Sequence, residues 1–178
     1  GFACTATAYL FETDEADTLG AASVARGVPI LSSAMAIQRA LDCFGAKRIA
    51  LFSPYPDWLT TASRNYWTGL GYDIVSWGTM PDDTSDTVNI YGLNSARFLA
   101  ASDALQTEEA DVIVVTGTGM PVLPAIRPLF ERTGKPILCS NNCLAWALLD
   151  ELGIADLASP CEPWEALIGG WSARLARL

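Results

Sequence analysis

The sequence predicts an α/β protein built from two pseudosymmetric parallel-sheet lobes with flanking helices, the first lobe lacking its N-terminal part. Three observations carry this. Short apolar runs alternate with helical patterns through the second half of the chain, the pattern of a parallel sheet with right-handed crossovers. A block repeats: Gly27-Val-Pro29-Ile-Leu-Ser-Ser33 returns 107 residues on as Gly134-Lys-Pro136-Ile-Leu-Cys-Ser140, and Leu41-Asp42 and Gly45 return at an offset of 108 as Leu149-Asp150 and Gly153. Ahead of each block an apolar run stops at small and hydroxyl residues, at Cys4-Thr5-Ala6-Thr7 in one copy and Thr116-Gly117-Thr118-Gly119 in the other. Buried parallel strands end this way where they deliver their carboxyl ends to a binding crevice.

In the second copy Arg48–Pro54 reads as a strand, and Asp57–Leu70 as a helix closed by Gly71. Tyr72–Trp77 is the next strand, followed by a loop rich in Asp, Thr and Pro from Gly78 to about Thr87. A helix is expected over Ser95–Gln106, and a buried strand over Asp111–Val115 that leads into Gly117. Helix Ala125–Arg132, strand Pro136–Leu138 and helix Asn141–Leu152 complete this lobe. The first copy shows only its back half, so the repeat predicts that roughly 65 residues precede Gly1 in a protein of about 240. The domain reading is 1–46 for the remainder of the first lobe, 47–158 for the second, and 159–178 for a C-terminal segment, with helix Glu162–Leu178 returning to the first lobe. A single domain with decayed repeats is the alternative.

Composition excludes several functions. Half of the 178 residues are apolar, and the net charge of −9 argues against a nucleic-acid partner. No apolar run is long enough to predict a membrane span. The five cysteines (Cys4, Cys43, Cys139, Cys143, Cys161) are odd in number and not spaced as a disulfide framework, which points to a reducing, cytoplasmic setting. Histidine is absent, so Ser-His and Cys-His pairs and His-ligated metals are excluded. Proton transfer falls to Cys, Tyr, Asp, Glu, Lys or water.

Within those limits Cys4 is the candidate nucleophile or acid. It stands at a strand's carboxyl end, and the small residues after it leave backbone N–H groups open to an anion if a helix starts there. Cys43 reads as filling an apolar helix face, and Cys139, matching Ser32 in the repeat, is a weaker cleft candidate. Thr116-Gly117-Thr118-Gly119 opens like a dinucleotide motif, but Val122 stands where the third glycine belongs. Gly117 and Thr118 instead read as N–H and OH donors to a carboxylate, from the side facing Thr5. Tyr55, just past the strand that ends in Ser53-Pro54, reads either as a surface aromatic or as a phenol donating to the same carboxylate. Trp58, Trp67 and Trp146 fall on predicted helices and read as core.

Taken as an ordered set, CTAT from Cys4, VPILSS, GAKRIALFSPY, ADVIVVTGTGMP and GKPILCSNNCLAWALL resemble the aspartate/glutamate racemase superfamily, in its maleate isomerase and arylmalonate decarboxylase branch. The resemblance implies two lobes around one cleft, no metal or organic cofactor, and a small carboxylate substrate held by N–H and OH donors. One or two cysteines then act on the neighbouring carbon. In racemases and maleate isomerases a thiol stands on each face; arylmalonate decarboxylases keep the second and have glycine at the first. Here Cys4 holds the first position and Gly117 the second, inverting the decarboxylase pattern. The resemblance assigns Thr5, the Ala6 amide, Tyr55 and the Gly117 and Thr118 amides to the carboxylate pocket. For a family asparagine in the loop after Trp77, Thr87 and Asn89 are the nearest matches.

A single thiol limits the chemistry. It can protonate an enediolate left by loss of CO2, or add to an activated double bond and leave after rotation. The expectation is a cofactor-independent decarboxylase or cis–trans isomerase; a homo-oligomer is compatible with it. The alternatives are a non-catalytic carboxylate-binding or sensor module of the same fold, and a degraded product without activity.

Overall fold

The computed structural model describes residues 1–11, 14–80 and 86–153. The predicted C-terminal helix and the centre of the Gly78–Thr87 loop lie outside the described residues. Four parallel strands form one sheet in the order β2-β1-β3-β4: β1 Arg48–Ser53, β2 Asp73–Thr79, β3 Val112–Val115 and β4 Ile137–Cys139. β3 and β4 are buried along their whole length, as apolar runs covered on both faces must be. β2 lies at the edge and is mostly half-buried or exposed, with only Ser76 buried. Below the sheet, the Asp111 carboxylate accepts from the Lys47 and Arg48 N–H groups and from the Arg48 guanidinium, joining the starts of β1 and β3. These bonds hold its carboxyl down at about 2.

The crossovers are α4 (Asp57–Gly69), α5 (Ser95–Ala101) and α6 (Leu123–Thr133), and α7 (Ser140–Glu151) follows β4. The helix predicted over Ser95–Gln106 ends earlier, at Ala101, and continues as a 3-10 turn over Ser102–Ala104. There the Ser102 hydroxyl donates back to the Leu99 carbonyl and Arg132 of α6 donates to Ser102, so side chains take over from the α-helical ladder.

Residues 1–46 contribute α1 (Thr5–Phe11), α2 (Glu15–Arg26) and α3 (Ser33–Phe44), with a single parallel bridge between Phe2 and Ser32. That bridge reproduces the Val115–Cys139 pair of the sheet: Phe2 lies two residues before Cys4 as Val115 lies two before Gly117, and Ser32 and Cys139 are the repeat partners. The paired helices α3 and α7 are both followed by left-handed glycines, Gly45 and Gly153. The repeat is therefore visible in backbone register. α1 packs on α4 and α3 on α7, so the two copies meet through helices.

The joint between them is aromatic. Trp67 is fully buried with Tyr9, Tyr66 and Tyr72 edge-on around it, and its indole N–H donates to the Tyr9 hydroxyl. Trp146 is buried as expected, but Trp58 is exposed. It precedes the buried Leu59 on α4, where helical spacing turns it outward. Cys43 is likewise exposed on α3 rather than packed on its apolar face.

Candidate active site

Three loops converge at the carboxyl edge of the sheet: Ser53-Pro54-Tyr55 after β1, Thr116-Gly117-Thr118 after β3, and Ala3-Cys4-Thr5 at the head of α1. Thr5 is fully buried at their meeting point. Its hydroxyl shares a 2.7 Å hydrogen bond with the Tyr55 phenol and accepts from the Gly117 N–H at 3.2 Å. The Thr118 hydroxyl donates to the Ala3 carbonyl, and Asn141 at the head of α7 donates to the Thr118 carbonyl, both at 3.0 Å. Behind them Ser53 and Thr116 share a hydroxyl bond at 2.8 Å. The two turns singled out in the sequence are thus joined directly, through residues 112 apart in the chain.

Cys4 is half-buried at the rim, and its sulfur accepts from the Thr7 hydroxyl at 3.1 Å. The helix does begin at Thr5, immediately after it. Ala6 lies half-buried against the core. Burial raises Tyr55 above the ordinary phenol range, with Tyr9 and Cys4 nearby reinforcing the rise against the Thr5 and Gly117 hydrogen bonds. It is a neutral donor at physiological pH. The buried thiols are disfavoured as thiolates: burial pushes Cys139 up to about 11 and holds Cys143 well above the ordinary thiol value. Cys139 and Gly117 do line a common cavity of about 190 Å³ with Met120 and Asn141.

Gly117 has φ +89°, a conformation that L side chains rarely adopt. A Cβ built there would lie 2.4 Å from Pro54 Cγ and 2.8 Å from its Cδ. The space a second thiol would need is filled by a rigid ring.

The profile of the arylmalonate decarboxylase family matches residues 11–162. This chain belongs to that family. Among curated relatives it is 28% identical over 128 residues to the maleate isomerase of Alcaligenes faecalis, covering 71% of this chain and 50% of the relative. It is also 28% identical over 127 residues to that of Geobacillus stearothermophilus, with the same coverage. The chain spans about half the length of the curated relatives it matches. Among solved structures, a Nocardia farcinica maleate cis-trans isomerase, a cysteine-to-serine mutant with a covalently bound succinylcysteine intermediate, superposes with a TM-score of 0.78 at 24% identity over 85% of this chain and 64% of that one. An arylmalonate decarboxylase superposes at 0.71 with 20% identity, covering 86% and 66%. At such identities these likenesses establish the α/β fold.

Cys4, Thr5 and Ala6 precede the part of the chain that the arylmalonate decarboxylase profile matches, while Tyr55, Gly117 and Thr118 fall within it. The fold brings all six to one edge. Thr87 and Asn89 lie on an exposed 3-10 helix, Thr87–Gly92, whose Tyr91 ring rests against Gly119 of the β3 turn. Sequence reasoning passed over Thr7, Pro54 and the Ser53–Thr116 pair. Thr7 had a signal, standing one helical turn after Cys4; the others depend on contacts between strands. Among the described residues no group of acidic or thiol side chains could hold a metal ion, and no helix is long and apolar enough to cross a membrane.

Proposed function

We propose that this protein is a cofactor-independent carbon-acid enzyme acting on a small mono- or dicarboxylate, such as a malonate or maleate. Cys4 is its single catalytic thiol, and Thr5, the Ala6 amide, Tyr55, Gly117 and Thr118 grip the carboxylate. The observation that carries this reading is the junction of Thr5, Tyr55 and the Gly117 N–H beside a half-buried, hydroxyl-bonded Cys4. A carboxylate entering between the turns would exchange the Thr5–Gly117 bond for bonds to its own oxygens. Donors held in a dry site are suited to negative charge that develops during reaction.

Two reactions fit one thiol on one face. In decarboxylation the bond to one carboxyl group breaks, CO2 leaves, and the electron pair passes into an enediolate. The Cys4 S–H then protonates the carbon and water restores the thiol. In isomerisation the Cys4 thiolate adds to one alkene carbon of maleate, the former double bond turns as a single bond, and expulsion of the thiolate leaves fumarate. The family's name supports the first and the maleate isomerase relatives support the second. With Pro54 opposite, neither uses a second thiol at position 117. The cysteine usage favours a reducing, cytoplasmic setting.

The test is to assay CO2 release from aryl- and alkenylmalonates beside fumarate formation from maleate, with Cys4→Ser as control. Cys4 alkylation is followed with and without the same ligands. Turnover of one class, lost at least about 1,000-fold in Cys4→Ser, and ligand protection of Cys4 are expected. Unchanged turnover in Cys4→Ser would overturn the assignment. Binding and protection without turnover would make the protein a carboxylate-binding module.

A further inference from the structure

The backbone of Cys4 is fixed on both sides. Its N–H donates to the Phe2 carbonyl at 3.0 Å, and Phe2 is held in turn by its bridge to Ser32. On the other side the chain runs straight into α1, whose first residue, Thr5, is fully buried in the junction with Tyr55 and Gly117. One freedom remains, the torsion about the Cα–Cβ bond. Its three staggered wells put the sulfur at places about 3 Å from one another. A shift of that size takes a reacting atom out of attack geometry.

Thr7 bears on which well is taken. It stands one helical turn on, half-buried, and its hydroxyl donates to the Cys4 sulfur at 3.1 Å. Among the described residues no other side chain donates to this sulfur. A helical threonine ordinarily turns its hydroxyl to the carbonyl three or four residues back. Four back from Thr7 is Ala3, whose carbonyl already accepts from the Thr118 hydroxyl of the β3 turn at 3.0 Å. The hydroxyl of Thr7 goes to the thiol instead.

We propose that Thr7 is a positioning residue for Cys4: its hydroxyl selects the rotamer of the sulfur and holds the thiolate whenever one forms. The proposal rests on the reading of Cys4 as the reacting group. In decarboxylation the thiolate appears once the S–H has given its proton to carbon, and water then returns a proton to sulfur. In isomerisation the thiolate is both the attacking and the leaving group. Thr7 keeps its own proton in either case and contributes a hydrogen bond alone. Such bonds are roughly twice as strong to a charged partner as to a neutral one. The contact therefore favours the thiolate over the thiol, and it does so without touching the substrate.

The experiment uses the full chain. Thr7→Val keeps the branched shape and removes the hydroxyl, Thr7→Ala removes both, and Thr7→Ser keeps the hydroxyl. Labelling of Cys4 by iodoacetamide is followed without substrate, by peptide mass spectrometry that separates it from the exposed Cys43. At pH 7 both hydroxyl-free variants should label Cys4 about tenfold more slowly than the parent, and Thr7→Ser within about twofold of it. At pH 10 the rates should converge. Turnover should lose kcat by about tenfold in Thr7→Val with KM nearly unmoved, and Thr7→Ser should restore it. Equal labelling of the parent and both hydroxyl-free variants would overturn the proposal. So would a slowing that Thr7→Ser fails to restore, since packing and not the hydroxyl would then be its cause. A parent that labels as expected but turns over neither malonates nor maleate would refute the enzymatic reading and leave Thr7 as the holder of the thiolate.

Discussion

Replacing Gly117 by alanine tests whether the β3 side of the cleft is closed. At φ +89° the new Cβ costs about 1–2 kcal/mol in backbone strain. Its approach to 2.4 Å from Pro54 Cγ adds an overpacking cost of about 1–3 kcal/mol, because a proline ring between β1 and Tyr55 cannot swing aside. The lost freedom of the unfolded chain returns about 0.4–1 kcal/mol. The net expectation is a loss of about 2–4 kcal/mol, a fall in Tm of roughly 5–15 °C at this chain length. Gly119→Ala is the control: its Cβ would meet Tyr91 at 2.9 Å, but that ring is 76% exposed and can move, so the cost should stay below about 1 kcal/mol. Thermal unfolding followed by circular dichroism reads both. Gly117→Cys should be destabilised likewise and gain no two-base racemase activity, measured as exchange of substrate α-hydrogen with D2O. A Gly117→Ala protein as stable as its parent would show that the space opposite Cys4 is open, and the one-face chemistry would lose its structural basis.

Tyr55→Phe removes the phenol from the Thr5 junction and should cost about 1 kcal/mol of stability. If the phenol holds a reacting carboxylate, kcat/KM should also fall about 100-fold; a stability loss with kinetics intact would confine Tyr55 to structure. Glu15 is buried, with Tyr66 donating to one of its oxygens, and burial raises its carboxyl above the ordinary value despite the Ser32 and Tyr66 hydrogen bonds. The folded state therefore keeps a proton that the unfolded chain has released, so stability declines as pH rises from about 4.5 through the raised folded value. Glu15→Gln does not titrate and should gain on the parent between pH 4 and 7 in urea unfolding. Parallel pH profiles of the two proteins would refute the burial account.

The elements were legible in the sequence because their causes are local. Apolar periodicity places β1, β3 and α4 to within about two residues, and the glycines after α3 and α7 mark the ends of repeated helices. In the structure the Phe2–Ser32 bridge repeats the Val115–Cys139 pair, at the positions the sequence repeat relates. Local signals fail where neighbours along the helix do not decide the outcome, as with Trp58 and Cys43, which the packing leaves outside.

Residue types at strand ends likewise nominated Cys4, Thr5, Tyr55 and Gly117, since small and hydroxyl residues stop apolar runs at a crevice whatever surrounds them. Their mutual arrangement is another matter. Thr5 reaches Tyr55 across 50 residues and Gly117 across 112, and no spacing rule extends so far. Pro54 against Gly117 is a contact between the ends of different strands, set by the register of β1 on β3. Composition and pattern told which groups were available for chemistry; the packing of three loops on one sheet edge settled which of them touch, and which side of the cleft is closed.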